Sequence, residues 1–241
     1  MWANSCNKYT RRKKERGQIM ENYAKIILNN GHCLIAGTTG AGKSTAIHGI
    51  IYEGVKMSPT VARFVLIDLK RVELNEWKTA PHCLNYINKP EQVAQCLNAY
   101  IKLMEDRFAE MEKNGQNETP YTHIYIIIDE LADIISTCPS AVYLIAKICR
   151  LGRAAHLHII AATQSPDRRT IPAIIQQNIT TSLALRCKTR IESRQTIGIA
   201  GAENLPKHGE AILWDANGYR KIKIPYITPE ERKQARAKLK Q

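Results

Sequence analysis

The segment 37–44 constrains the fold more than any other part of the sequence. It reads Gly-Thr-Thr-Gly-Ala-Gly-Lys-Ser, which fits the phosphate-binding pattern G-x-x-x-x-G-K-[ST]. An apolar run at 33–36 comes before it and predicts a strand, and residues 44–53 have the pattern of a helix. This strand–loop–helix context predicts a site for a nucleoside triphosphate with Mg²⁺. The alternative is an ordinary glycine turn followed by a capped helix.

The residue types of this loop indicate how it would bind phosphate. Gly37, Gly40 and Gly42 allow backbone angles that turn N–H groups toward an anion. The Lys43 ammonium would reach the β- and γ-phosphates, and the Ser44 hydroxyl would be a ligand of Mg²⁺. The predicted nucleotide-binding residues are Gly37, Thr38, Thr39, Gly40, Ala41, Gly42, Lys43, Ser44 and Thr45.

Length and composition are those of one α/β domain. The chain has 241 residues, of which 44% are hydrophobic, and this suffices for a sizeable core. We expect a basic arm at 1–18, an ATPase domain at 19–227 and a basic helix at 228–241. No apolar run is long enough to span a membrane and the N-terminus lacks the apolar core of a signal peptide, so we expect a cytoplasmic location. The 7 cysteines form no C-x-x-C pair, which predicts reduced thiols without zinc.

The charge of the chain is strongly positive. There are 35 Lys and Arg residues against 22 Asp and Glu residues, a net charge of +13, and the excess is concentrated near both ends. A basic balance suits a polyanionic partner, most simply nucleic acid. The alternative is a solvated basic surface without a partner, and charge alone leaves both readings open.

Apolar runs alternate with amphipathic segments along the chain. Strands are predicted at 64–68, 124–128, 157–162, 181–186, 210–214 and 220–224, and helices at 90–113 and 141–149. Thr228 and Glu231, with Pro229 between them, form a capping box that opens a last helix. The alternation predicts βαβ units, a mostly parallel sheet flanked by helices, and a ligand site at the carboxyl ends of the strands.

Two carboxylates follow the strand at 124–128. Asp129 would hold Mg²⁺, and Glu130 would polarise the attacking water as a general base. Side chains of adjacent strand residues point to opposite faces, so the two acids need different roles. Gln164 ends the next strand, where a polar side chain can sense the γ-phosphate. The alternatives are a helix N-cap for the acidic pair and a turn residue for Gln164.

The strand at 64–68 lies between the phosphate-binding loop and Asp129 in the chain. An extra strand there is typical of the RecA-like and AAA+ branch of P-loop ATPases, which often form rings. Ring ATPases place an arginine on the γ-phosphate of a neighbouring subunit, and Arg150 and Arg153 are the candidates. An ordinary surface position is the alternative for both. The predicted fold is therefore α/β, a P-loop NTPase with a RecA-like sheet.

Several segments in order resemble the motor core of FtsK/SpoIIIE DNA translocases. They are residues 34–44, Ile67–Lys70 with Val72–Leu74 and Pro81–His82, Ile128–Asp133, Gly152–Ala155, Ala162–Gln164, Glu192–Arg194 and Gly201–Glu203. The likeness covers roughly 32–225. It implies a hexameric ring that uses ATP to move double-stranded DNA, with catalytic roles for Lys43, Glu130 and Gln164. It also makes Arg153 the better candidate for the arginine that acts in trans.

The sequence departs from the family pattern at two single residues and in the segments that it contains. Ser165 stands where the family usually has Arg, and His156 stands where Gly is usual. The family's membrane segments and its C-terminal winged-helix module have no counterpart in the sequence. We therefore expect a minimal motor core of the kind that a mobile element carries for conjugation, segregation or packaging. Such a core would need an accessory or membrane-anchoring protein.

Two other functions remain open from the sequence. A secretion-type ATPase that drives protein export shares these motifs, but would respond to a protein substrate and not to DNA. A nucleotide-gated DNA-binding scaffold would bind ATP without hydrolysing it. The net charge favours the DNA translocase over export, and the intact Asp129–Glu130 pair argues against the scaffold.

Overall fold

The structure of the protein is a computed structural model that describes residues 22–115, 120–164, 166 and 171–237. The predicted basic arm at 1–18, residue Ser165 and residues 238–241 of the predicted last helix lie outside these ranges. The described residues form a sheet with helices on both of its faces.

The strands of the sheet are β1 (Cys33–Ala36), β2 (Ala62–Ile67), β3 (Cys83–Ile87), β4 (His123–Ile128), β5 (Leu157–Thr163), β6 (Thr181–Ala184), β7 (Glu210–Asp215) and β8 (Gly218–Lys223). The helices are α1 (Tyr23–Asn30), α2 (Lys43–Gly54), α3 (Pro90–Asn114), α4 (Leu131–Thr137), α5 (Ser140–Leu151), α6 (Ala173–Gln176), α7 (Arg190–Ile197) and α8 (Pro229–Ala237). Two short 3₁₀ helices, Asn75–Thr79 and Ala202–Asn204, complete the described elements.

The sheet has 8 strands in the order β3-β2-β4-β5-β1-β6-β7-β8. The strands from β3 to β6 run parallel, and β7 and β8 form an antiparallel hairpin beside β6. The predicted α/β fold with a mostly parallel sheet is confirmed. Parallel strands align their carboxyl ends, so the loops after β1, β2, β4 and β5 meet at one edge.

The sheet separates two apolar cores, because successive strand side chains point to opposite faces. In β4, Ile127 packs with α1 and α2, whereas Ile126 and Ile128 pack with α3 and α5. All three isoleucines are fully buried. Central strands of this kind read as continuous β-branched runs, which is why the sequence predicted them well.

Most predicted elements agree with the structure to within a few residues. The helix predicted at 90–113 is α3, and Gly115 ends it with φ 60°. The capping box is confirmed, since the Thr228 N–H donates to Glu231 Oε2 at 2.8 Å and the Glu231 N–H donates to Thr228 Oγ1 at 3.2 Å. The strand predicted at 181–186 is shorter and ends at Ala184. Strand β3 was not predicted, because it is an edge strand without an apolar run.

The strand that separates β1 from β4 in space is β5, not β2. The segment at 64–68 lies between the two motifs in the chain, but β2 pairs with the other side of β4. The residue after β5 is Gln164, so this strand order places Gln164 between the loop after β1 and the acids after β4. None of the helices in the described ranges combines the length and apolar character needed to cross a bilayer.

Candidate functional site

The predicted phosphate-binding loop connects β1 to α2, and its glycines sit where the backbone requires them. Gly40 and Gly42 have φ 72° and 101°, in the region that residues with a Cβ resist. Gly37 is needed for space, because a Cβ there would lie 2.9 Å from the Leu185 Cβ. The loop therefore adopts a conformation that these glycines make accessible.

Backbone carbonyls at or just after the carboxyl ends of the two strands beside β1 hold the loop in place. The Thr38 N–H donates to the Arg186 carbonyl at 2.9 Å, and the Thr38 hydroxyl donates to the same oxygen at 3.2 Å. On the other side, the Gly37 N–H donates to the Thr163 carbonyl at 3.4 Å. The loop is thus fixed before any ligand arrives, which reduces the entropy lost on binding.

Lys43 begins α2 and folds back over the loop. Its Nζ donates to the Gly37 carbonyl at 2.7 Å and to the Thr38 carbonyl at 3.2 Å. Burial lowers the pKa of Lys43, and the carboxylates of Glu130 and Asp129 oppose that shift. No side chain in the described part of the chain caps the N-terminus of α2, so its free N–H groups and dipole suit an anion. Ser44 and Thr45 lie in the first turn of the same helix.

Asp129 lies at the carboxyl end of β4 within a group of acidic side chains. Burial, followed by the charges of Asp68 and Glu73, raises the pKa of Asp129 to about 7, and Lys70 opposes the shift. Asp68 is fully buried, and its two oxygens accept the N–H groups of residues 71 and 74 at 2.8 and 3.0 Å. The arrangement concentrates carboxylate oxygens beside the phosphate-binding loop.

Glu130 and Gln164 form a chain of hydrogen bonds that reaches the loop. The Gln164 N–H donates to both oxygens of the buried Glu130 carboxylate at 3.2 Å. The Thr39 hydroxyl donates to Gln164 Oε1 at 2.8 Å. Thr39 is therefore two hydrogen bonds from Glu130, one to the Gln164 side chain and one from the Gln164 backbone N–H. We name this arrangement the Thr39–Gln164–Glu130 chain.

Sequence reasoning gave no role to Lys70, which the structure brings to the acidic group. Its Nζ lies 3.2 Å from Asp133 Oδ2 and 4.0 Å from Glu130 Oε2. The sequence signal that could have indicated this role was the position of Lys70, two residues after Asp68 at the end of β2. That edge of the sheet is where the other site residues were already expected.

Arg153 and Arg150 are not brought to this edge. Arg153 lies in the turn before β5, and Arg150 lies in the last turn of α5, both exposed. Strand β5 has 7 residues, so the turn lies roughly 20 Å from Gln164 at about 3.3 Å per residue. Neither arginine can act on a nucleotide bound to its own loop.

The described side chains suit a metal ion that substrate and water also bind. In the described ranges, no group of three or more His, Cys, Asp or Glu side chains is arranged to hold a metal ion. Mg²⁺ is usually bound by one or two side chains together with substrate phosphates and water. The hydroxyl of Ser44 and the carboxylate of Asp129 are of the oxygen type that Mg²⁺ prefers.

Solved structures with the same fold include P-loop ATPases. The cytoplasmic domain of the Thermomonospora curvata type VII secretion ATPase EccC superposes with a TM-score of 0.74 at 23% identity, covering 83% of this chain and 26% of that one. The pCW3 conjugation coupling protein TcpA, solved with ATPγS, superposes with a TM-score of 0.76 at 18% identity, covering 88% and 65%. At these identities the likeness establishes the fold.

Sequence relatives identify the family. The model of the FtsK/SpoIIIE family matches residues 2–120. DNA translocase FtsK of Streptomyces avermitilis is 31% identical over 245 residues, covering 90% of this chain and 27% of the relative. The Helicobacter pylori protein of the same name is 33% identical over 220 residues, covering 83% and 25%. The chain thus spans about a quarter of the length of these relatives. It belongs to the FtsK/SpoIIIE family and corresponds to the family's ATPase motor domain.

Proposed function

We propose that the protein is an ATP-dependent double-stranded DNA translocase, a ring motor that hydrolyses ATP to move DNA. The observation that carries the proposal is the meeting of the phosphate-binding loop with Asp129, Glu130 and Gln164 at one sheet edge, in a chain of this family. The net charge of +13 supports a polyanionic partner.

The residues at this edge divide the work of hydrolysis. The loop N–H groups and Lys43 hold the β- and γ-phosphates, where transition-state charge develops. Glu130 accepts a proton from the attacking water, and its buried carboxylate is oriented for this by the Gln164 N–H. The Gln164 side chain responds to the γ-phosphate, and the Thr39–Gln164–Glu130 chain carries that response to the base.

Ser44 and Asp129 are the residues that would hold Mg²⁺. Burial, and then the negative charge of neighbouring carboxylates, raises the pKa of Asp129, and a divalent cation would relieve that repulsion. When bound, Mg²⁺ neutralises charge on the phosphate oxygens. The protein would contribute the orientation of these two ligands, with Ser44 in the first turn of α2 and Asp129 directly after β4.

Assembly of several copies into a ring would explain why Arg153 lies far from the phosphate-binding loop of its own chain. The side chain is exposed at the edge of the sheet opposite to the phosphate-binding loop, so its target is the nucleotide of a neighbouring copy. An arginine supplied in trans stabilises transition-state charge on the γ-phosphate. The proposed assembly is a homo-hexamer around DNA, with an accessory or anchoring protein and a cytoplasmic location as further parts of the proposal.

An ATPase assay with and without linear duplex DNA tests the function, on a sample whose oligomeric state is measured by sedimentation. We expect hydrolysis stimulated by DNA, with stimulation that weakens steeply as salt rises. Activity that ignores DNA and responds to a protein substrate would identify an export ATPase instead. ATP binding without turnover would identify a nucleotide-gated scaffold.

A further inference from the structure

Arg107 is a buried arginine in α3 whose guanidinium is engaged by backbone carbonyls. It is 8% exposed. Its Nη1 donates to the Ala155 carbonyl at 2.5 Å and its Nη2 to the Thr122 carbonyl at 3.2 Å. The ring of Tyr121 stacks on it, with Cζ 4.7 Å from the ring centroid. Burying a charged guanidinium costs free energy. The contacts that Arg107 makes therefore indicate which part of the fold it stabilises.

One of these carbonyls belongs to a turn with little conformational freedom, residues 152–156. A Cβ at Gly152 would lie 2.6 Å from the Ile148 carbonyl oxygen and 2.7 Å from that of Leu157. His156 has φ 56°, a left-handed conformation that is costly for a residue with a Cβ. Surrounding contacts must over-determine a strained turn for it to persist.

The contacts that hold His156 converge with those of Arg107. His156 Nδ1 lies 2.9 Å from the Tyr121 carbonyl oxygen, and its ring stacks on His123 with centroids 4.3 Å apart. Arg107 therefore fastens the turn at Ala155 while Tyr121 and His123 fasten it at His156.

The residue that this turn presents is Arg153. Its carbonyl accepts the His156 N–H at 3.2 Å, so its backbone is part of the turn. Its side chain is exposed, and it makes no hydrogen bond or ion pair with another residue in the described ranges. The buried charge of Arg107 and the strained backbone of His156 thus fix the backbone beneath the exposed Arg153 side chain.

We propose that Arg107 is a positioning residue for Arg153, holding the 152–156 turn so that the Arg153 side chain enters the nucleotide site of a neighbouring copy. This inference rests on the proposed function, a ring ATPase. A cation that acts in trans must be placed to within a fraction of an ångström, because misplacement by about 1 Å costs about a hundredfold in rate.

A double-mutant cycle in ATP hydrolysis tests the inference. We expect Arg153→Ala to lower kcat by at least about a hundredfold, since a trans arginine is worth about 10³-fold or more. Arg107→Met should lower kcat about tenfold, with the KM for ATP within about twofold, because nucleotide binding is untouched. In the Arg153→Ala background, Arg107→Met should cause no further loss.

The matched control is Arg63, a half-buried arginine whose Nη1 donates to the Pro81 carbonyl at 2.9 Å, away from the turn. Arg63→Met should leave kcat unchanged while its thermal unfolding temperature falls. Should Arg107→Met not fold, Arg107→Lys replaces it, since lysine keeps the charge but cannot serve both carbonyls. We expect the kcat of Arg107→Lys to lie between those of the wild type and Arg107→Met. In the Arg153→Ala background, Arg107→Lys should not change kcat.

The outcomes separate the inference from the proposed function. An equal loss from the Arg107 substitution with and without Arg153, or no loss in kcat at all, overturns the positioning role. Arg153→Ala with wild-type kcat also overturns it, although the ATPase then stands. Absence of DNA-stimulated hydrolysis in the wild type refutes the proposed function instead.

Discussion

The Thr39–Gln164–Glu130 chain predicts how strongly the phosphate-binding loop controls the general base. Thr39→Val removes the hydroxyl that donates to Gln164 Oε1 at 2.8 Å. A neutral hydrogen bond contributes about 1 kcal/mol net, and tenfold in rate corresponds to about 1.36 kcal/mol. Because the bond is exposed, its contribution lies at the low end of that range, and we expect kcat to fall about threefold. KM for ATP should change little, since the loop N–H groups and Lys43 remain.

Single-turnover hydrolysis, with the enzyme in excess over ATP and at a saturating concentration, is the assay, since it separates chemistry from product release. Gln164→Ala should lower the rate further than Thr39→Val, and the double variant should equal Gln164→Ala alone. Thr60→Val is the matched control, because it removes a hydroxyl hydrogen bond that is also 2.8 Å long and exposed, away from the site. Independent losses that multiply in the double variant would refute the coupling.

Three more predictions concern the phosphate-binding loop, the base and the buried histidines. Lys43→Ala should abolish nucleotide binding in a fluorescent-nucleotide titration, and wild-type affinity would remove its assigned role. Glu130→Gln should bind ATP normally yet barely hydrolyse it; turnover near the wild-type rate would mean that another group is the base. Burial lowers the pKa of His32 to about 4, and burial with the neighbouring His32 lowers that of His158 further. As the pH falls, these histidines are protonated in the unfolded chain before they are protonated in the folded protein. The free energy of unfolding is therefore highest above about pH 6.5 and falls by a few kcal/mol toward pH 5. Urea unfolding at pH 7 and pH 5 checks this, and equal free energies would contradict it.

Local patterns predicted the parts of the site that local chemistry determines. The loop at 37–44 and the two acids after β4 are each formed by a few consecutive residues. An apolar strand precedes each of them and places it at the edge of the sheet. The capping box at Thr228 was predictable for the same reason. Strand β3 escaped prediction because Leu84 and Asn85 are exposed at the edge of the sheet, so the usual apolar signal is missing.

The remaining parts depend on strand order, which no local pattern contains. The contact of Lys70 with Glu130 requires β2 to lie beside β4, and the contact of Gln164 with Thr39 requires β5 to lie beside β1. The network around Arg107 joins residues from α3, the segment just before β4 and the turn before β5. A buried arginine in a helix gives no sign in the sequence of the turn that it holds.

Strand β5 connects the two features that a ring motor would use. Gln164 follows its carboxyl end and reaches the chain's own phosphate-binding loop, while the turn with Arg153 precedes its amino end. All 7 residues of β5 are buried between two hydrogen-bonded neighbours, so the strand cannot bend without breaking the sheet. In the proposed ring, β5 would therefore hold the glutamine at one nucleotide and the arginine at the next nucleotide about 20 Å apart. Adjacent sites would then be linked by a rigid element of the sheet.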